Sequence, residues 1–251
     1  MKRILMVLTV VTVIFAVSRW TEKPRVTEQE TSVAAESVSE PLKVTETEAA
    51  AIAETEAVPV DPEALREIDW EELKSLNPDI VAWVYIPDTK IDTPVVWSGD
   101  NEKYLYLGLN GKKSYETIFA DGESTPDMSG RHCILYGHHM KNGKGFTDIC
   151  RFKDEKFFEK HDRVYVYTPE KAFVLEPAAC LYCDPEPVRR RTVFADDMEL
   201  DTYLDEMTAD CAFRKDVTDP EQVFSLTTCS YERENVRTIL YCTPVQVVDL
   251  V

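Results

Sequence analysis

Val223-Phe224-Ser225-Leu226-Thr227-Thr228-Cys229 and Val236-Arg237-Thr238-Ile239-Leu240-Tyr241-Cys242 are two apolar runs rich in β-branched residues, separated by six mostly polar residues. Such a pair reads as an antiparallel hairpin. The end of the first strand then faces the start of the second, with directly paired Cα atoms roughly 5 Å apart. Cys229 and Arg237 would share one end of a sheet. A fixed guanidinium charge there favours the thiolate, and it favours any oxyanion formed when that thiolate attacks a carbonyl. An Arg inside an apolar run needs an anionic partner, which favours Arg237 over Arg233, an arginine flanked by Glu232 and Glu234 in the connecting loop.

A thiol nucleophile needs a proton acceptor. Cys133-Ile134-Leu135-Tyr136-Gly137-His138-His139-Met140 reads as a short strand broken by Gly137, with two histidines at its end. Gly137 is expected to permit a sharp backbone turn there. Adjacent strand residues point to opposite faces, so one histidine serves the thiol, and the residues alone leave His138 and His139 open. Cys, His and Arg gathered from distant segments make an acyl-transfer site.

These segments resemble the sortases, cysteine transpeptidases of Gram-positive surfaces. Their nucleophile motif, Thr-Leu-x-Thr-Cys, is matched by Ser225-Leu226-Thr227-Thr228-Cys229, with Ser keeping the first hydroxyl. The class B pattern Tyr-Gly-His-His is matched by Tyr136 to His139, and its Arg before an apolar strand by Arg237. Asn77-Pro78-Asp79-Ile80-Val81-Ala82-Trp83, Ile86-Pro87 and Ile91-Asp92-Thr93-Pro94-Val95-Val96 are similar to the class B opening, and Lys156 to His161 to a helix of that class. The resemblance spans about residues 65–251. It implies His138 as the catalytic histidine, with Cys229 and Arg237. It also implies substrate contacts at Asn101 and Leu105, for which an ordinary turn Asn and a core Leu are the alternatives. Tyr136 and Thr228 are candidates for supporting that substrate site. By the same resemblance the substrate is a C-terminal sorting signal of the Asn-Pro-x-Thr-x or Pro-x-Thr-Gly type, cut after Thr. The acceptor is an amine of the cell wall, and no cofactor is needed. Pilin polymerisation is the alternative within the family. The long connection 184–222, with a helix expected over Leu200 to Met207, matches the loop that helps hold the signal in class B enzymes.

Composition sets the outer bounds. The chain has 251 residues, a hydrophobic fraction of 44% and a net charge of -18. That is enough apolar material for one core plus extensions, and the acidic balance argues against nucleic acid or anionic lipid as a ligand. Seven cysteines, at 133, 150, 180, 183, 211, 229 and 242, form no compact disulfide framework. Cys180 and Cys183 lack the second pair that a zinc site wants and read as small apolar residues of a strand over Phe173 to Cys183.

Met1-Lys2-Arg3 precedes an apolar run, Ile4 to Val17. As a helix these 14 residues span about 21 Å against a hydrocarbon core of roughly 30 Å. Snorkelling Lys2 and Arg19 with Trp20 at the interface narrow the gap. Length favours a cleaved signal peptide ending near Ala16-Val17-Ser18, whereas the resemblance favours a single-pass anchor in residues 1–20. Both readings put the body outside the cytoplasm. Residues 21–60 hold nine acids, three bases, no Gly and no aromatic, and read as a solvated acidic stalk. The catalytic domain is expected over 61–251.

That domain should open with a helix capped by Asp61, with Pro62 and Glu63 in its first turn and an apolar stripe through Leu65, Ile68, Leu73 and Leu76. Many short strands without regular βα alternation then predict a mostly β fold, a closed barrel with added helices. His132 reads as an exposed strand start and His161 as part of a charged helix end, both structural. Asp121-Gly122-Glu123 and Asp196-Asp197 read as surface acids rather than calcium ligands. Two other readings compete with the transpeptidase. A secreted cysteine peptidase of papain type would place its Cys first and on a helix, opposite to the order here. A surface adhesin would not depend on Cys229.

Overall fold

The computed structural model describes residues 61, 65–230 and 235–251; of residues 229 and 230 it describes the backbone. The expected membrane segment, the stalk, residues 62–64 and Arg233 lie outside the described residues. Among the described residues no helix is long and apolar enough to cross a membrane.

Eight strands close into a barrel in the order β1-β2-β3-β4-β7-β8-β6-β5. They are β1 (Ile80–Tyr85), β2 (Asp92–Val96), β3 (Ile118–Ala120), β4 (His132–Gly137), β5 (Val164–Tyr167), β6 (Lys171–Cys183), β7 (Val223–Ser230) and β8 (Val236–Asp249). The β2–β3 and β4–β7 pairs are parallel, the other six antiparallel. The expected barrel is therefore present, and so is the β7–β8 hairpin. Closure removes the exposed strand edges that an open sheet would carry.

The two long strands slip register at prolines. Proline has no amide hydrogen for a ladder and is tolerated at bulges. The β6–β8 register slips between Pro177 and Ala179, and again where Leu175 pairs with Pro244. Each slip coincides with a proline.

Alternation along the strands sorts side chains to two sides. Cys133 and Leu135 of β4, Phe224 and Leu226 of β7, and Leu240 and Cys242 of β8 point into the barrel and join its main core with Val84, Val95, Phe146 and Phe152. The opposite parity, Val223, Ile239 and Tyr241, packs outside against Leu200, Tyr203, Leu204 and Met207 of helix α3 (Asp197–Thr208). Helix α3 is the helix expected within the long connection, and Asp196 caps it by accepting the Glu199 amide hydrogen at 2.9 Å. Helix α2 (Glu155–Lys160) is capped in the same way by Asp154. His161 caps its far end and is buried.

Three local expectations change. The first helix, α1, spans Trp70–Leu76, and its cap is Asp69, whose carboxylate accepts the Glu72 amide hydrogen at 2.9 Å; Leu65 and Ile68 lie before it. Asp69 prevails because Glu71 and Glu72 then fill the first turn, where the helix dipole favours acids. Gly137 makes no turn with positive φ; it stays in the β4 ladder opposite Thr228. Its missing side chain matters for packing, since a Cβ would stand 2.4 Å from Ile118 Cδ1 and 2.7 Å from Phe146 Cγ. His132 is fully buried rather than an exposed strand start.

Candidate active site

Two ladders bring the three expected catalytic positions into one row. In the parallel β4–β7 ladder, Ile134 pairs with Ser225, Tyr136 with Thr227, and Gly137 with Thr228. His138 and Cys229 are the residues that follow this last pair. In the antiparallel β7–β8 ladder Cys229 pairs with Arg237 and Thr227 with Ile239. Strand parity therefore puts positions 134, 136, 227, 237 and 239 on the outer side of the sheet, the side that α3 and the long connection partly cover.

A cavity of about 410 Å³ opens on this face. His138 and Arg237 both line it, with Leu105, Tyr136, Thr228 and Ile239. The 3-10 turn Pro187–Arg190 of the long connection lines the other wall. All four expected substrate residues, Asn101, Leu105, Tyr136 and Thr228, border this cavity.

Parity also separates the two histidines. His138 takes the cavity side. His139 falls on the other, where its Nδ1 lies 3.5 Å from Cys150 Sγ, and that sulfur is 3.5 Å from Thr238 Oγ1. The imidazole of His138 is held in one orientation. Its Nε2 is 2.7 Å from the Leu105 carbonyl oxygen. A carbonyl only accepts, so Nε2 carries the hydrogen and Nδ1 is the nitrogen with a lone pair in the neutral ring. Two exposed rings flank it: Tyr115 stands edge-on, with centroids 5.4 Å apart, and Tyr106 stacks at 6.2 Å. Neither tyrosine was singled out by sequence: Tyr106 sits among leucines as an ordinary apolar residue would, and Tyr115 in a short polar stretch. Leu105 thus does more than fill space, since its carbonyl orients the histidine.

The backbone behind His138 depends on Gly145. Phe146 donates its amide hydrogen to the His138 carbonyl at 2.9 Å. That close pass requires a residue at φ +62, and a Cβ on it would meet the same carbonyl oxygen at 2.4 Å. Glycine alone tolerates both conditions. The Asn142-Gly143-Lys144-Gly145 run marks a turn in the sequence, though not its contact with His138.

Asn101 sits in a network unseen in the sequence. Its Nδ2 donates to Asp121 Oδ2 at 3.1 Å and its Oδ1 accepts the Gly122 amide hydrogen at 2.9 Å. Asp121 is a fully buried acid, not a surface one. Tyr136 donates its phenol hydrogen to the same carboxylate at 2.8 Å. Burial, and next the Asp121 charge, push the Tyr136 phenol well above its ordinary pKa, so it stays a donor. Asp197 is a surface acid as read, and pairs with Arg131.

Burial also keeps other thiols protonated. The Cys133 thiol is pushed up to about 12 and Cys211 to about 11, while Cys180, Cys183 and Cys242 are raised as well. These five are free thiols, and a protonated thiol is a poor nucleophile. Cys180 and Cys183 lie in β6, as the strand reading expected.

Comparison with known proteins agrees with this geometry. The family described as "Sortase domain" matches residues 84–245. The sortase B of Listeria monocytogenes is 27% identical over 166 residues, covering 65% of this chain and 68% of that protein. The sortase B of Staphylococcus aureus is 26% identical over 163 residues, covering 64% and 67%. The X-ray structure of Clostridium perfringens sortase B superposes with a TM-score of 0.65 at 29% identity, covering 71% of this chain and 100% of that one.

Proposed function

This chain belongs to the sortase family of cysteine transpeptidases, with class B sortases as its neighbours, and from that premise we propose a specific reaction. It cleaves a C-terminal sorting signal of the Asn-Pro-x-Thr-x or Pro-x-Thr-Gly type after Thr and transfers the acyl group to an amine of the cell wall. The observation that carries the reading is that Cys229 pairs with Arg237 while the β4–β7 ladder ends at Gly137 and Thr228, one residue before His138 and Cys229, with His138 and Arg237 lining one cavity.

In this reading the Cys229 thiol passes its proton to His138 Nδ1, the basic nitrogen that the Leu105 bond leaves on the neutral ring, and the resulting thiolate attacks the Thr carbonyl carbon. Arg237 and backbone amide hydrogens stabilise the oxyanion. The C–N bond breaks as the leaving amine takes a proton from His138 Nδ1, since Nε2–H stays on the Leu105 carbonyl. A thioester remains on Cys229. An incoming amine attacks it and passes a proton to Nδ1, and sulfur leaves as thiolate. Asn101, Leu105, Tyr136 and Thr228 hold the signal in the cavity they border. On sequence grounds alone, the proposal includes a single-pass anchor in residues 1–20, an extended acidic stalk, and a catalytic domain outside the cell.

The test offers sorting-signal peptides to the full chain with and without triglycine. The reading predicts an amide product when triglycine is present, acid only when it is absent, and neither with Cys229→Ala. Acid alone under both conditions would make the enzyme a peptidase.

A further inference from the structure

One fully buried carboxylate, absent from the chemistry above, joins three walls of the cavity. Asp121 follows β3. Its Oδ2 accepts from Tyr136 of β4 at 2.8 Å, from Asn101 of the β2–β3 connection at 3.1 Å, and from Arg190 of the long connection through Nε at 3.2 Å and Nη2 at 3.1 Å. Its Oδ1 accepts the Glu123 amide hydrogen at 2.9 Å. The three side-chain donors all line the cavity. A buried carboxylate is tolerated only when paired and hydrogen-bonded, and Arg190 is the cation that pairs it.

Arg190 is the last residue of the Pro187–Arg190 turn. The preceding arginine, Arg189, donates to the Met207 carbonyl at 3.0 Å, approaches Glu186 at 3.5 Å and lies against the Tyr241 hydroxyl of β8. On the barrel side, His132 holds the carbonyl of Arg191 at 2.7 Å. The Arg190–Asp121 pair links the turn to the β3–β4 wall of the cavity. The pair is asymmetric. The Arg190 side chain is 52% exposed and the Asp121 side chain 0%, so the arginine is free to hydrate on release while the acid stays buried.

We propose that Asp121 is a positioning residue for the substrate cleft. By pairing with Arg190 it clasps the Pro187–Arg190 turn over the cavity, and by binding Asn101 and Tyr136 it fixes two further lining groups. The ion pair then determines which sorting-signal side chains the cleft admits. The identity of that ligand rests on the transpeptidase reading; the clasp itself does not.

The test compares the full chain with its Arg190→Ala and Arg190→Lys variants, which change an exposed side chain and leave the core intact. Amide hydrogen exchange reads the clasp without any substrate. Release in Arg190→Ala should speed exchange at Arg189 and Arg191 about ten-fold or more, with α3 unchanged. With a library of sorting-signal peptides, Arg190→Ala should raise KM about ten-fold, change kcat less than about two-fold, and flatten the ranking of the peptides. The pH profile of Cys229 alkylation by iodoacetamide should not move. Arg190→Lys, with a point charge in place of a fork, should recover part of each change. Unchanged exchange in the turn overturns the clasp. Faster exchange with unchanged KM and ranking overturns the specificity role, and so does a fall in kcat and alkylation at constant KM. If the unsubstituted chain cleaves no peptide, the transpeptidase reading fails, and the exchange result still decides the clasp.

Discussion

Lowering the pH from 7 to 4 should cost this fold about 3 kcal/mol through His132 alone. Its ring is buried between β4 and the long connection, with Nδ1 2.7 Å from the Arg191 carbonyl oxygen and Nε2 2.8 Å from Ser225 Oγ. The carbonyl requires Nδ1 to carry the hydrogen, so the neutral ring accepts the Ser225 hydroxyl hydrogen at Nε2. Burial lowers its pKa from 6.5 to about 4 in the folded protein. In the unfolded chain the ring keeps its ordinary value. Between pH 6.5 and about 4 the unfolded state therefore binds more protons, and stability must fall as pH falls through that window. Above about 6.5 the contribution is complete, and below about 4 the loss is complete. At about 1.4 kcal/mol per pH unit the loss amounts to about 3 kcal/mol. Urea unfolding of the full chain, followed by tryptophan fluorescence at pH 4–7, reads this directly. Carboxylates titrate at the low end of the range, so the informative quantity is the difference from His132→Gln, which offers a neutral donor and acceptor. That difference should shrink by about 3 kcal/mol from pH 7 to pH 4. A difference constant across the range would refute the buried neutral tautomer.

Three further outcomes follow from the same geometry. Gly137→Ala forces a methyl group against Ile118 and Phe146 and should destabilise by about 1–3 kcal/mol in urea unfolding. Gly145→Ala places a Cβ on the His138 carbonyl at positive φ; kcat should fall more than stability, as seen by comparing peptide turnover with urea midpoints. Arg237→Ala should lower kcat by about 10²–10³ with a smaller change in KM, the pattern of a lost oxyanion partner, and steady-state kinetics will show it.

The pairing of Cys229 with Arg237 was legible because it rests on backbone rules. Apolar runs around Cys229 and Arg237 predicted the hairpin, and the hairpin predicted their pairing. Choosing His138 over His139 required resemblance, since the deciding fact is the parallel partnership of β4 with β7, a contact between strands nearly ninety residues apart. Asp121 was misread because an Asp-Gly-Glu sequence looks the same whether solvent or a tyrosine, an asparagine and an arginine surround it. His132 was misread for a similar reason: burial at a strand start depends on what covers it, here Tyr203 and Tyr241. The start of α1 was recoverable. Asp69 and Glu72 have the spacing of a capping box, but Asp61-Pro62 offered a second plausible cap. Gly137 carried the right importance for the wrong reason, since a strand glycine marks either a bend or a close approach and sequence does not distinguish them.

The most direct measurement is the site of the covalent intermediate. The full chain is mixed with a sorting-signal peptide, quenched in acid within its turnover time, digested, and analysed by mass spectrometry. The account predicts the acyl fragment ending in Thr as a thioester on Cys229, discharged when triglycine is added before the quench. Peptide cleavage with the acyl group on another residue, or with no acyl-enzyme at all, would contradict it.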